Sequence, residues 1–356
     1  MNHRPQHVLV TGGAGFIGAN FVRHLLATDP HVKIVTLDLL TYAGRLDNLA
    51  DLPDEDRHRL VVGDICDRQL VDALLREHAI DTVVHFAAES HVDRSIAGPG
   101  EFVRTNVVGT ATLLEAARQY WFGEQRLDAA TVRAQRRFHH IGTDEVYGTL
   151  GPNDPSFSET TRYAPNSPYS ASKAGSDHLV RAYWHTYGLP VTTTNCSNNY
   201  GPLQHDEKFV PTVIRSCIEG TRIPVYGDGS NIRDWLFVDD HCRAIDTVVR
   251  RGAPGETYNV GGCNEWRNID IVRLICALMD EHRPDGAPHA GLIQFVTDRP
   301  GHDWRYAIDA GKIIDELGWR PQENFESGIR KTLTWNRGRI KTWHGIDEFS
   351  IWPCAD

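Results

Sequence analysis

Thr11-Gly12-Gly13-Ala14-Gly15-Phe16-Ile17-Gly18 stands between an apolar run, His7 to Thr11, and a stretch in which Ile17, Phe21 and Leu25 recur at i, i+4 and i+8. Strand, glycine loop and amphipathic helix in that order open a βαβ unit. In the spacing Gly12-x-x-Gly15-x-x-Gly18 the three glycines allow a tight turn, backbone close to a pyrophosphate, and close helix packing, with the phosphates at the positive end of the helix. A second apolar run, Lys33 to Leu37, leads to Asp38, twenty residues after Gly18. A carboxylate there accepts from both ribose hydroxyls of a dinucleotide and repels a phosphate on that ribose, so NAD rather than NADP is the expected cofactor.

Outward from this unit the alternation continues. Arg59 to Val62, Thr82 to Phe86, Phe138 to Gly142 and Val191 to Asn195 read as strands separated by helical patterns, which is the signature of right-handed crossovers around a parallel sheet. The expected fold class is α/β, a doubly wound parallel-sheet Rossmann fold. Asp64-Ile65 and Ala87-Ala88-Glu89 fall at carboxyl ends of strands, where such sheets bind ligands. The polar stretch 123–137 reads as a loop or a surface extension of a helix. From Asn198 the texture changes to Gly/Pro-rich turns, short strands at Ile223 to Tyr226 and Tyr258 to Val260, and a helical stretch near Ile271 to Glu281. Residues 1–197 are therefore expected to form the NAD-binding domain, with about 235–265 returning to it, and 198–356 mainly a smaller C-terminal lobe.

With 356 residues, 40% hydrophobic and 24% charged, the chain can bury a large core, and no apolar run approaches the roughly 20 residues needed to cross a bilayer. Met1 to Gln6 lack the apolar segment and cleavage site of a secretory leader, so a cytoplasmic protein without membrane association is expected. A formal net charge of -10 argues against nucleic-acid binding and leaves any phosphate-bearing ligand to a local cluster of basic groups. The seven cysteines are scattered without Cys-x-x-Cys spacing, which fits reduced thiols and implies no metal.

Two further segments carry chemistry. Tyr169 and Lys173 are four apart at the start of a helical segment running to Tyr187, so both project from one face. An ammonium near a phenol favours the phenolate, which can take a proton from a sugar hydroxyl while the adjacent carbon loses hydride. Thr143-Asp144-Glu145 closes the fifth strand and sets a hydroxyl and two acids at the sheet edge. Two carboxyl groups in one enclosed site do not ionise equally, so one remains a proton donor while the other acts as base, the pair that elimination of water requires.

Gly12 to Gly18, Ala87 to Ser95, Thr143 to Gly148, Tyr169 to Lys173, Asn195 to Pro202, Ile232 to Leu236 and Asp298 to Asp303 together resemble the dTDP-glucose 4,6-dehydratase family of the extended short-chain dehydrogenase/reductase type, over roughly residues 7 to 335. The resemblance implies a Rossmann domain with a nucleotide-sugar-binding lobe, a homodimer joined by a four-helix bundle, and an NAD recycled in each turnover. It implies Tyr169 as base at the sugar 4-hydroxyl, Thr143 bonding that oxygen, Lys173 tuning Tyr169, Glu145 removing the C5 proton and Asp144 protonating the departing C6 hydroxyl. Around NAD it places Gly12, Gly15, Phe16, Ile17, Gly18, Asp38, Leu39, Thr41, Asp64, Ile65, Ala87, Ala88, Glu89, Ser90, Thr105, Tyr169, Lys173 and Asn199. Around the substrate it places His91, Thr143, Asn198, Lys208, Phe209, Pro224, Tyr226, Arg233, Asn268, Arg299 and His302. Arg233, Arg299 and His302 suit a pyrophosphate that an acidic protein must still neutralise. The chain departs from the family in residues 203–209, which follow its pattern only at Glu207-Lys208, and in the tail 344–356, with no tyrosine after Tyr306. The nucleotide base is thus less fixed than the reaction. A nucleotide-sugar 4-epimerase shares the fold and the Tyr-Lys pair but does not need the Asp-Glu pair. A non-catalytic NAD-sensing protein needs neither.

Overall fold

The structure, a computed structural model, describes residues 2–298 and 302–343. Its strands are β1 (His7–Thr11), β2 (Lys33–Asp38), β3 (His58–Val62), β4 (Thr82–His85), β5 (Arg137–Thr143), β6 (Val191–Cys196), β7 (Asn198–Tyr200), β8 (Ile223–Tyr226), β9 (Ile232–Phe237), β10 (Thr257–Val260), β11 (Glu265–Arg267) and β12 (Ile293–Val296). Seven pair in the order β10-β6-β5-β4-β1-β2-β3, each neighbour parallel. Parallel strands need crossover helices, which cover both faces of the sheet. This is why β4 and β5 are buried along their whole length instead of alternating.

On one face, Phe21, Val22 and Leu25 of the helix Phe16–Thr28 pack with Cys242, Ile245 and Val249 of the helix Val238–Arg251 over Val8, Val10 and Ile34. On the other, Val71 and Leu74 of Arg68–Glu77, Leu113 and Leu114 of Thr110–Arg118, and Val180 of Pro168–Tyr187 cover Leu9, Val35 and Leu37. The order reverses between β1 and β4, and the crevice outside their carboxyl ends is the site that this topology offers to a ligand.

The remaining strands form two small sheets, β11-β9-β7 and β12-β8. They pack with the helices Phe209–Glu219 and Asn268–His282 around Ile214, Trp235, Ile275 and Phe325. Residues 123–137 differ from the loop reading. Gly123 and Glu124 finish a helical run, but Ala129–Gln135 is a helix of its own, capped by Asp128 at Thr131 N and anchored by the buried Val132. A single apolar anchor in a polar stretch gives no periodicity to read. Among the described residues no helix is long and apolar enough to cross a membrane.

Candidate active site

β1 runs into Gly12, whose φ of +71° lies in the left-handed region and whose absent Cβ would stand 2.5 Å from Ala87 N. Only a glycine lets the loop pass this close to the chain leaving β4. A Cβ on Gly18 would stand 2.3 Å from Gly12 O, so the helix lies directly on the loop. That helix, Phe16–Thr28, begins at Gly15 with no side-chain cap, which leaves its first N–H groups to a ligand's anionic oxygens. Asp38 accepts from Ala14 N at 2.9 Å and Leu40 N at 2.8 Å. The backbone thus holds the carboxylate in place, and each oxygen keeps a lone pair for a ribose hydroxyl. These features fit a dinucleotide.

A cavity of about 340 Å³ opens along this edge. Gly12, Gly15, Phe16, Ile17 and Gly18 line it from the loop; Asp38, Leu39 and Thr41 from the end of β2; Asp64 and Ile65 from the end of β3. Ala87, Ala88, Glu89 and Ser90 line it after β4, with Thr105 from the helical run behind them and Asn199 from β7. Asn199 is set by a 2.8 Å bond between its Oδ1 and His241 Nδ1. The same cavity reaches Thr143, Asp144, Glu145, Tyr169 and Lys173.

The catalytic edge follows from two local devices. β5 ends at Thr143, and Asp144–Tyr147 at once form a single 3₁₀ turn that folds the acids back over the sheet edge. Ser167 starts the helix Pro168–Tyr187 with a reciprocal cap to Ser170, which fixes the first turn and with it Tyr169 and Lys173 on the buried face. Asp144 is fully buried, and its Oδ2 has no hydrogen-bond partner. Burial, with the like charges of Glu145 and Asp234, pushes its carboxyl well above the usual range, which favours the protonated form.

Burial and the Glu145 charge push the Tyr169 phenol above its ordinary value, against a hydrogen bond with Thr143. Lys173 Nζ donates to Ile141 O at 2.6 Å, inside the sheet edge, and burial lowers its own value. An i, i+4 spacing puts two side chains on one face without deciding where the longer one ends.

A family model described as GDP-mannose 4,6 dehydratase matches residues 9–332. The dTDP-glucose 4,6-dehydratase of Xanthomonas campestris pv. campestris (strain B100) is 61% identical over 331 residues, 92% of each chain. The chain belongs to the dTDP-glucose 4,6-dehydratase family. Escherichia coli (strain K12) dTDP-glucose 4,6-dehydratase 1 is 55% identical over 342 residues, covering 94% of this chain and 93% of that one. The solved structure of the Streptomyces venezuelae dTDP-glucose 4,6-dehydratase, with NAD bound, has a TM-score of 0.84 and 45% identity, covering 95% of this chain and 98% of that chain.

The substrate residues that membership in this dehydratase family implies are less gathered. Asn198 and Lys208 line the cavity, and burial lowers the Lys208 ammonium. His91 does not line it and caps the helix Val92–Ala97. Phe209 is half-buried against the lobe core, its ring 5.9 Å from that of Trp235, because it begins a helix whose apolar face covers that core. Pro224 and Tyr226 are exposed on β8, and His302 meets the Tyr226 ring edge-on at 6.3 Å. Arg233 is buried, donates to Ile232 O and Asp303 O at 2.7 Å, and lies over the Tyr306 ring. Asn268 heads the helix Asn268–His282, its N–H donating to Asn231 O. Arg299 lies outside the described residues.

Cys196, Ser197 and Asp234 are among the residues that the sequence reading did not name for the site. Cys196 and Ser197 line the cavity at the end of β6, a strand-end position that was the available signal. Burial pushes the Cys196 thiol up to about 12, so it is neutral there. Asp234 accepts from Gly262 N at 2.7 Å and Asn264 N at 2.6 Å and faces Asp144 electrostatically. It lies within the Ile232 to Leu236 motif but next to the arginine that stands out there as a phosphate ligand.

Proposed function

We infer that this chain is an NAD-dependent hydro-lyase that converts dTDP-glucose to dTDP-4-keto-6-deoxyglucose by oxidation at C4, loss of water across C5 and C6, and hydride return to C6. The observation that carries this reading is Asp144, a buried and protonated carboxyl with a free oxygen, beside Glu145 and Tyr169 in the cavity that also holds the glycine loop. Oxidation alone needs no buried acid. Elimination does.

Bound NAD, held by the Gly12 to Gly18 loop and Asp38, supplies a hydride acceptor at C4 and a hydride donor at C6. The chain's residues handle the protons. Tyr169 takes the proton of the 4-hydroxyl while Thr143 holds that oxygen. Glu145 removes the C5 proton, now acidic beside a carbonyl, and Asp144 gives its proton to the departing C6 oxygen, so the bond lost and the proton supplied leave as one water. Asn198 and Lys208 serve the sugar-phosphate end from the cavity wall. Pro224, Tyr226, Arg233, Asn268, Arg299 and His302 serve the nucleotide.

Residues 1–197, with 235–265, form the cofactor domain in this reading, and 198–356 mainly the substrate lobe. The chain works as a homodimer through a four-helix bundle, supported by Val103 and Val108, about half exposed on the helical run beside Pro168–Tyr187. Its described cysteines are all free, which supports a cytoplasmic location.

The test follows one atom. dTDP-glucose deuterated at C4 is expected to give a product lighter by one water with deuterium in the C6 methyl group, even in excess unlabelled NAD, as read by NMR and mass. Label returned to C4 of an isomeric sugar, or lost to the NAD pool, overturns the reading.

A further inference from the structure

Three loops that line the cavity are tied together by side chains that do not line it. Leu39, Thr41, Ala43 and Gly44 form one wall after β2, Phe86 to Ser90 another after β4, and Gln204, His205 and Lys208 a third after β7. Tyr42, Arg94 and Glu207 are absent from those walls yet join all three segments. The Arg94 guanidinium lies over the Tyr42 ring, 3.7 Å from its centroid, and donates from Nη2 to Glu207 Oε2 at 3.1 Å. His205 meets the same ring edge-on at 5.8 Å, with its Nδ1 3.8 Å from Glu207 Oε1. His91 Nε2 is 3.9 Å from that oxygen, which is buried and makes no hydrogen bond.

The sheet cannot account for this arrangement. β1, β2 and β4 fix where the chain leaves the sheet, but the loops beyond are polar and could part. Gly12 and Asp38 line the cavity from the sheet edge, and Gln204, His205 and Lys208 line it from the segment after β7. We propose that Tyr42, Arg94 and Glu207 form a latch that closes the dinucleotide cavity and sets the rate at which NAD leaves. The proposal rests on the NAD-dependent reading above. It gives Glu207, one of two residues in 203–209 that keep the family pattern, a role at the cofactor. An exposed guanidinium-ring contact and a half-exposed ion pair are each weak, but both must break before the walls part, so the expected effect is roughly ten-fold in release rate.

The test uses holoenzyme whose bound NAD exchanges with excess isotopically labelled NAD, for the wild type, Tyr42→Ala, Tyr42→Phe, Arg94→Gln and Glu207→Gln. Tyr42→Ala and Arg94→Gln are expected to exchange about ten-fold faster, their double mutant no faster than either, with the melting midpoint of NAD-free protein unchanged. Tyr42→Phe keeps the ring under Arg94 but loses the hydroxyl's bond to Ser90, so its speed-up is expected to be smaller than that of Tyr42→Ala. Exchange at the wild-type rate in Tyr42→Ala and Arg94→Gln overturns the latch and leaves the function standing. So does a speed-up in Tyr42→Phe equal to that in Tyr42→Ala, or faster exchange accompanied by a fall in melting midpoint. Wild-type protein that neither retains nor takes up NAD overturns the proposed function and the latch with it.

Discussion

Gly12, Asp38, Asp64 and Ala87 sit where β1 to β4 end, and the sheet's own ladder holds all of them at one cavity. Tyr226, Arg233 and His302 ride on the short strands and loops of the smaller lobe, where Arg233 is taken up by carbonyls of its own chain and His302 by Asp298 at 2.6 Å. The first group is placed by the backbone, the second by long side chains with partners of their own. The sheet half is therefore fixed by the strand ladder, and the lobe half by side-chain contacts.

The largest expected effects break the chemistry and leave both halves intact. Tyr169→Phe and Glu145→Gln are each expected to slow turnover by roughly 10²–10⁴-fold. They differ in where the reaction stops: Glu145→Gln still oxidises C4 in a single turnover, seen as nicotinamide absorbance, and Tyr169→Phe does not. Retained elimination in Tyr169→Phe would reverse the roles. Asp144→Asn is expected to abolish elimination with no loss of fold, and its pH behaviour gives the sign. The folded value of Asp144 lies above the ordinary carboxylate value, so its contribution to stability is full below that ordinary value and is lost as pH rises through the raised one. Asparagine stays neutral throughout, so the melting midpoint of the variant should gain on the wild type as pH rises. A variant midpoint that falls relative to the wild type as pH rises counts against a protonated Asp144.

Gly12→Ala probes the sheet half directly. A Cβ 2.5 Å from Ala87 N at positive φ is expected to cost about 2–3 kcal/mol of stability and to empty the protein of NAD. The denaturation midpoint and the cofactor content measure this. Tyr226→Ala is the mildest change, expected to raise KM for dTDP-glucose about ten-fold with kcat and NAD content unchanged, as for lost uniform binding. Loss of NAD in Tyr226→Ala would mean that the two halves are not separately built.

The same contrast explains what the sequence made legible. Strands β1 to β6 were readable to within a residue or two because each is a short run alternating with a helical pattern, and the strand ends then located the cofactor cavity. The Tyr169 to Lys173 helix was readable from its spacing, but the destination of the Lys173 ammonium at Ile141 O was not, since tertiary contacts alone decide it. Asp234 escaped notice because its acidic partner, Asp144, is ninety residues earlier and only the fold joins β5 to β9. The family motif marks Phe209 as a position that matters without showing that its ring packs beside Trp235.

The outer strand of the main sheet has a consequence for how the protein is made. β6 ends at Cys196, but its partner β10 begins at Thr257, and the helix Val238–Arg251 that covers the earliest secondary elements lies in between. His3 N also donates to Arg250 O at 2.7 Å, so the segment before β1 docks on one translated far later. A nascent chain that stalls before residue 257 holds six strands with an open edge at β6, a row of unpaired amides ready to recruit a neighbouring chain. Synthesis of this protein therefore passes through a window of exposure that closes only when β10 emerges.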